Sequence, residues 1–306
     1  MSPMSTAYLA LACTDAARVA HVFQDVFALA RADLPIAGGA PVPVFAVGQA
    51  TLAVFEPDDA RLDGPPSPGV RHLALASDTP QDTARALGLA GEVSGGEFRV
   101  RDAAAGGVNL RLASAPAGLP RTAGPIVERI DHVGVASADN QAAHALFVAR
   151  LGCALESTQT DMEVSLAVES FTSDRYGVVY HNRAPVPVGG LRVSFISVGD
   201  HELEFLQPFD PSPVSGDSGE PLGAAPGNTR GDRGAIGRYI DRRGPGLHHL
   251  ALKTPDIDAA LARAHAAGLR VIDHIGRPGS RRARIGFIHP GALGGVLLHF
   301  VQRTPI

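Results

Sequence analysis

One pattern of strand, helix and three strands recurs along this chain, and the recurrence restricts the fold more than anything else in the sequence. YLALACTDAARVAHVFQDVFAL, beginning at Tyr8, matches HVGVASADNQAAHALFVARLGC, beginning at His132. ATLAVFEP matches HELEFLQP, GVRHLALASD matches GLHHLALKTP, and GGVNLRL matches GGVLLHF. Each half reads βαβββ twice, so the expected class is α+β, with tandem domains each built from two such units. In the second half, HVGVA alternates like a strand, and Asp139 caps a helix that runs to about Leu151 before Gly152 stops it. LRVSFISVG and HELEFLQP read as a hairpin, and LHHLALK as a further strand. Thr254-Pro255 opens a helix with Ile257, Leu261 and Ala264 on one face and Gly268 at its end; RIGFIHP and GGVLLHFVQ complete the strands.

A length of 306 residues suits two domains. The expected division is 1–118, a linker at 119–128 within the Pro/Gly-rich region around Ala115 to Pro125, and 129–306. Pro211 to Arg233 is dense in Gly, Pro, Ser and Asp and is expected to be a long surface loop or partly disordered. Apolar residues at 45% and charged residues at 19% support a packed core. A net charge of −4 speaks against a nucleic-acid partner, which needs concentrated basic surface. No apolar run approaches the ~18 residues of a membrane span, and no basic segment precedes a long apolar stretch at the N-terminus. Neither a membrane association nor a secretory leader is expected. Cys13 and Cys153 stand far apart, which excludes a disulfide framework and makes the cytoplasm the expected compartment.

Among the 12 histidines, three sit at corresponding places on strands of the second half. His132 opens the first strand, His249 begins the first strand of the second unit, and His299 lies between Leu298 and Phe300. Glu204 lies between Leu203 and Phe205. A lone strand histidine is usually a satisfied core residue, but a carboxylate and imidazoles within apolar strands are costly unless paired or ligated. Alternation with period two puts all four on one face. That donor set suits one divalent metal ion, with Zn, Fe, Mn, Co and Ni all compatible. The equivalent positions in the first half are Tyr8, Ala53, His72 and Arg111, so that half is expected to carry no metal. The loop GRPGSRRARIG contributes Arg277, Arg281, Arg282 and Arg284, with Arg281, Arg282 and Arg284 the foremost contacts for an anionic group of the substrate, beside the simpler reading of a solvated loop. The glycine pairs lack the context of a dinucleotide site, and there is no nucleophile elbow or P-loop.

From Ile130 to Gln302 the sequence resembles methylmalonyl-CoA epimerases, within the vicinal-oxygen-chelate (glyoxalase-like) superfamily. The matching strings are DHVGVA, HELEFLQP, GPGLHHLAL, FIHP and GGVLLHFVQ, and His248 to His299 aligns without a gap. The resemblance implies a cup-shaped sheet around a divalent metal. Its ligands fall on His132, Glu204 and His249, so His248 is not expected to ligate. The last ligand, a Glu in the family, falls on His299; the loss of one negative charge should make bound water or substrate the stronger acid. The carboxylate base that the family draws from the strand LRVSFIS is missing, since Arg192 and Ser194 are its only polar residues before Ser197. A longer insertion, Ser157 to Gly189, contains Asp161, Glu163, Asp174, Tyr176, Tyr180 and His181. Glu204 is the first candidate for the catalytic base and His181 the second.

The activity so implied is that of a metal-dependent isomerase or lyase, with epimerase-like proton transfer α to a carbonyl. Its substrate would be a small molecule with neighbouring oxygens, acyl-CoA thioesters among the candidates. An extradiol-type ring-cleaving dioxygenase is the alternative, because such enzymes also pair a metal-free first domain with a metal-bearing second one. A non-catalytic small-molecule binding protein is the third. The first half is expected to serve packing or to close the cup, and assembly as a homodimer is left open.

Overall fold

Period-two alternation sorts each central strand into one wholly apolar face and one face of mixed polarity, and the two faces have different fates here. The computed structural model describes residues 4–101, 105–119, 124–165, 168–175, 177–182, 185–209 and 229–303. The first sheet is formed by β1 (Thr6–Ala12), α1 (Ala16–His21), β2 (Arg31–Pro35), β3 (Pro41–Val47) and β4 (Ala50–Phe55), then β5 (Gly69–Ala76), α2 (Pro80–Ala86), β6 (Gly91–Ser94), β7 (Glu97–Val100) and β8 (Leu110–Ala113). Its eight strands lie in the order β2-β3-β4-β1-β5-β8-β7-β6. The second sheet takes β9 (Arg129–Ala136), α3 (Asn140–Ala143) and β10 (Ala154–Ser165). A separate hairpin follows, β11 (Val168–Ser173) with β12 (Gly177–Asn182), before β13 (Val186–Val198) and β14 (His201–Phe209). Its second unit is α4 (Thr229–Arg243), β15 (Gly246–Lys253), α5 (Ile257–Ala266), β16 (Arg277–Pro278), β17 (Ala283–Ile288) and β18 (Leu298–Arg303). The order β10-β13-β14-β9-β15-β18-β17-β16 repeats the first sheet position for position. This is the tandem α+β architecture that the repeats imply.

Local chemistry sets the helix boundaries. Asp139 Oδ1 accepts from the backbone N–H of Gln141 at 2.8 Å and of Ala142 at 3.3 Å, the cap expected there. The helix then widens into a π-helical turn from His144 to Arg150, and Gly152, at φ +71°, lets the chain turn away. The later helix does not begin at Thr254-Pro255. Asp256 takes the cap, accepting from Ala259 N–H at 3.1 Å. A larger difference is α4, which starts at Thr229, inside the segment expected to be a loop. Gly231, Gly234 and Gly237 each weaken a helix by roughly 1 kcal/mol, which masks the pattern in the sequence. Packing overrides them: Ile236, Tyr239 and Ile240 lie against Leu191, Val193, Phe195 and Leu206. Residues 210–228 of that segment and 120–123 of the expected linker fall outside the described residues.

The apolar faces of both sheets join in one core. Leu9 and Leu11 of β1 belong to the same buried cluster as Val133, Val135, Leu250, Leu252, Leu298 and Phe300. The ring of Phe27, just after α1, meets Phe300 at 5.3 Å. Arg263 of α5 donates to the carbonyls of Val26 at 2.6 Å and Asp25 at 2.8 Å, and Arg150 donates to Leu87 O at 2.8 Å. The first half therefore backs the second sheet. It does not close the second cup, one of the two roles expected for it: α4 lies over that cup, and no first-half residue lines it among the described residues. No helix among the described residues is long and apolar enough to cross a membrane.

Candidate metal centre

Four central strands carry the four candidate ligands on two alternate rungs of the second sheet, with the Val133–Leu250 rung between them. Glu204 on β14 and His249 on β15 both stand opposite Gly134 of β9. His132 on β9 and His299 on β18 both stand opposite Ala251 of β15. Small residues at the crossing points leave the floor of the cup to the long side chains. A Cβ on Gly134 would overlap the imidazole of His249. The four groups converge: Glu204 Oε2 lies 3.3 Å from His132 Nε2 and 3.4 Å from His249 Nε2, and those two nitrogens are 3.4 Å apart. His299 brings its ring centroid to 5.1 Å from that of His132 and 5.0 Å from that of His249. Each of the three imidazoles offers one nitrogen to a group whose members all lie within 4.8 Å of one another.

Two β-bulges shape the surroundings, and neither is visible in a period-two pattern. His132 pairs with Ala251 and Ile130 with Leu252, so Asp131 is an extra residue in its strand. The bulge lets Asp131 reach its own neighbour: its Oδ1 accepts from His132 Nδ1 at 2.8 Å. Arg303 holds the same carboxylate from the other side, at 2.8 and 2.6 Å. This fixes the Nδ1–H tautomer of His132 and presents Nε2 to the cup. The second bulge is His248, between Leu247, paired with Val135, and His249, paired with Gly134. Both histidines of the pair line the cup, with their Nδ1 atoms 3.0 Å apart. Asp131 has one signal in the sequence. In a regular strand it would point away from His132, and an acid there would face the core.

The site's electrostatics follow from burial and from these pairings. Burial opposes the charged form of Glu204, but His132 and His249 hold its carboxyl below the usual range. Burial pushes His132 down, but Glu204 and Asp131 raise it overall. His249 and His299 are lowered, first by burial, and burial with the neighbouring His249 brings His248 down to about 3. A buried, imidazole-rich cluster with one carboxylate has more acceptor lone pairs than protons to share. His299 Nδ1 is buried without a hydrogen-bond partner among the described residues. Donor separations of 3.3–3.4 Å match the edge of a tetrahedron around an ion with bonds of about 2.0–2.1 Å. The residues thus fit a divalent ion.

Above the cluster is a cavity of about 320 Å³. Leu191, Val193 and Phe195 of β13 and Ile236 of α4 form its apolar wall, and Asp161, Asp232 and Arg277 are among its polar members. Arg281, Arg282 and Arg284 do not line it. Arg281 is paired with Glu202 and Glu156 and stacks on Phe195, 3.5 Å from the centre of its ring. Arg284 is held by Asp258 at 2.9 Å, and Arg282 is exposed. Among the described residues of the insertion, Asp161 reaches the cavity, Glu163 faces Arg233 at 3.7 Å, and Asp174 is exposed. Tyr176 and the side chains of Tyr180 and His181 lie outside the described residues.

The first sheet repeats the register: Ala53 and His72 oppose Ala10, and Tyr8 and Arg111 oppose Ala74. Its cup is filled by a guanidinium. Arg111, fully buried, donates to Glu97 at 2.9 Å, to Asp63 at 2.8 Å and to the carbonyl of Arg61 at 2.7 Å. Tyr8 donates to Glu97 at 2.5 Å and accepts from His72 Nε2 at 3.0 Å.

The profile of the glyoxalase/bleomycin resistance protein/dioxygenase superfamily matches residues 131–287, just over half of the chain. The chain belongs to that superfamily. The mitochondrial methylmalonyl-CoA epimerase of Bos taurus is 24% identical over 184 residues, covering 59% of this chain and 78% of that protein. The corresponding human protein is 24% identical over 176 residues, covering 57% and 73%. A triple variant of 4-hydroxymandelate synthase from Streptomyces coelicolor superposes on 99% of the chain and 94% of its own length, with a TM-score of 0.59 at 17% identity. That likeness establishes a shared fold across both halves.

Proposed function

We propose that this superfamily member is a metal-dependent isomerase or lyase that moves a proton on the carbon next to a carbonyl of a small substrate, acyl-CoA thioesters foremost. The convergence of His132, Glu204, His249 and His299 in the floor of a largely apolar cavity carries the reading, and the epimerase relatives point the same way. These four residues would hold one divalent ion per chain. When bound, such an ion supplies Lewis acidity, which makes the hydrogen next to a coordinated carbonyl easier to remove. The protein's own groups do the rest. Asp131 and Arg303 keep His132 in its ligating tautomer, and the wall of β13 and α4 excludes water from the reacting carbon. Glu204 remains a candidate to accept the proton, as does His181. Asp161 and Asp232 are the other carboxylates that line the cavity.

One observation favours a second reading. The three groups within 3.4 Å of one another are two imidazoles and one carboxylate, the donor set of non-haem iron oxygenases. The experiment separates the two. Purified protein is analysed for metal and incubated anaerobically with acyl-CoA thioesters in deuterated water under mass spectrometry. Deuterium uptake at the α-carbon is expected. No uptake with any thioester, together with oxygen consumption on a catechol by the iron-loaded protein, would replace the isomerase with the dioxygenase.

A further inference from the structure

Three arginines line the cavity among the described residues, Arg277, Arg303 and Arg238, and Arg238 of α4 is exposed. Arg277 stands on the edge strand β16, opposite Ile285, and lines the same cavity as the four candidate ligands. Its side chain is 20% exposed, and among the described residues its guanidinium is held by one hydrogen bond, Nε to Asp273 Oδ1 at 3.2 Å. Asp273 is fixed in turn, its other oxygen accepting from Phe287 N–H at 2.9 Å. Nη1 of Arg277 is buried and has no acceptor among the described residues. A buried donor left without a partner is costly, and a ligand is one way to satisfy it. The guanidinium lies 5.3 Å from the centre of the Phe287 ring, and that ring lies 4.5 Å from the ring of His299. One aromatic ring therefore stands between the cation and a candidate metal ligand. Arg303, which also lines the cavity, is already taken by both oxygens of Asp131. Arg281 and Arg284 are neutralised outside the cavity.

We infer that Arg277 forms a carboxylate subsite, and that the substrate bears a carboxylate a few carbons from the oxygens that meet the metal. A planar fork matches a carboxylate with two parallel hydrogen bonds, which the single contact to Asp273 leaves room for. The inference rests on the metal centre proposed above and adds a charge requirement to it.

The test compares two probes in calorimetric titrations of the metal-loaded protein. The probes are 2-oxoglutarate and 2-oxopentanoate, which share the chelating 2-oxo acid and differ in the distal carboxylate. The wild type should bind 2-oxoglutarate about 10- to 100-fold more tightly, the scale of one hydrogen-bonded charge pair. Arg277→Gln should lose that preference while its affinity for 2-oxopentanoate and its metal content stay at wild-type values. Arg277→Lys should keep part of the preference. If both probes bind the wild type equally, or if Arg277→Gln keeps the preference, the subsite is overturned and the metal centre stands. If neither probe binds metal-loaded protein, the chelating centre fails and the subsite fails with it.

Discussion

At the scale of single residues, the proposed metal centre depends on two that are not among its candidate ligands, Gly134 and Asp131. Gly134→Ala places a methyl group where the His249 ring lies, so the ring must leave its place. The variant should fold, since Gly134 is one position in a long strand, but should bind metal far more weakly, as an equilibrium dialysis titration would show. Wild-type affinity in this variant would mean that His249 is not held in place from beneath. Asp131→Asn keeps the shape but loses the ion pair with Arg303 and the anionic acceptor for His132. Metal affinity should fall about 10- to 100-fold, as for other residues that orient a ligating histidine. Stability should fall by about 3–5 kcal/mol, the cost of leaving one member of a buried ion pair alone. Burial would raise the Asp131 carboxyl, but His132 and Arg303 overcome it and hold it far below the ordinary carboxylate range. A depressed folded-state value means that this stabilisation is complete above the unfolded value of about 4 and declines as pH falls below it. The difference between wild type and variant in urea melts should therefore be full at pH 7 and smaller at pH 3. The convergence of the four candidate ligands is legible in the sequence because four polar residues interrupt apolar strands. Asp131 was not singled out, because a bulge is a defect in the period on which strand reading depends.

At the scale of elements, the strands that alternate cleanly were readable, and those shaped by packing were not. β9, β14, β15 and β18 stand where their apolar runs place them, and the two hairpin strands β13 and β14 pair as expected. β16 is two residues long and carries no pattern at all. The arginine loop was read as one cluster, yet its charges diverge, because strand pairing sends Arg277 and Arg284 to different partners. α4 is hidden in the sequence by its glycines, and it forms part of the wall of the cavity. Ile236 is its buried anchor, 3% exposed against β13 and β14. Ile236→Ala should destabilise the protein by about 2 kcal/mol, the low end for a buried aliphatic truncation, because α4 rests on a small satellite cluster. Metal content should be unchanged, and substrate affinity should fall, since this side chain forms part of the wall. Metal loss in Ile236→Ala would show instead that α4 supports the ligands.

At the scale of the whole molecule, the repeats give two copies of a fold but not two independent bodies. The same duplication has left one cup with residues that could hold a metal ion and filled the other with Arg111, whose guanidinium answers Glu97 and Asp63 without one. One metal per chain is therefore expected, and its energetic effect should reach both sheets. Leu9 and Leu11 of the first sheet and Leu298 and Phe300 of the second are buried in one cluster, so neither apolar face can be exposed without exposing the other. A shared face of this kind makes unfolding cooperative across both halves. Metal bound only to the native second cup should then stabilise the entire chain, by about 4 kcal/mol at a thousandfold excess over its dissociation constant. For a chain of this size that is a rise in melting temperature on the order of 5–10 °C. Calorimetry of metal-free and metal-loaded protein should show one transition that moves as a whole. Two transitions, with only one displaced by metal, would show that the halves melt separately. A second half expressed alone as residues 124–306 should expose the apolar side chains of β9, β15 and β18 that share a buried cluster with the first half, and it should aggregate rather than bind metal.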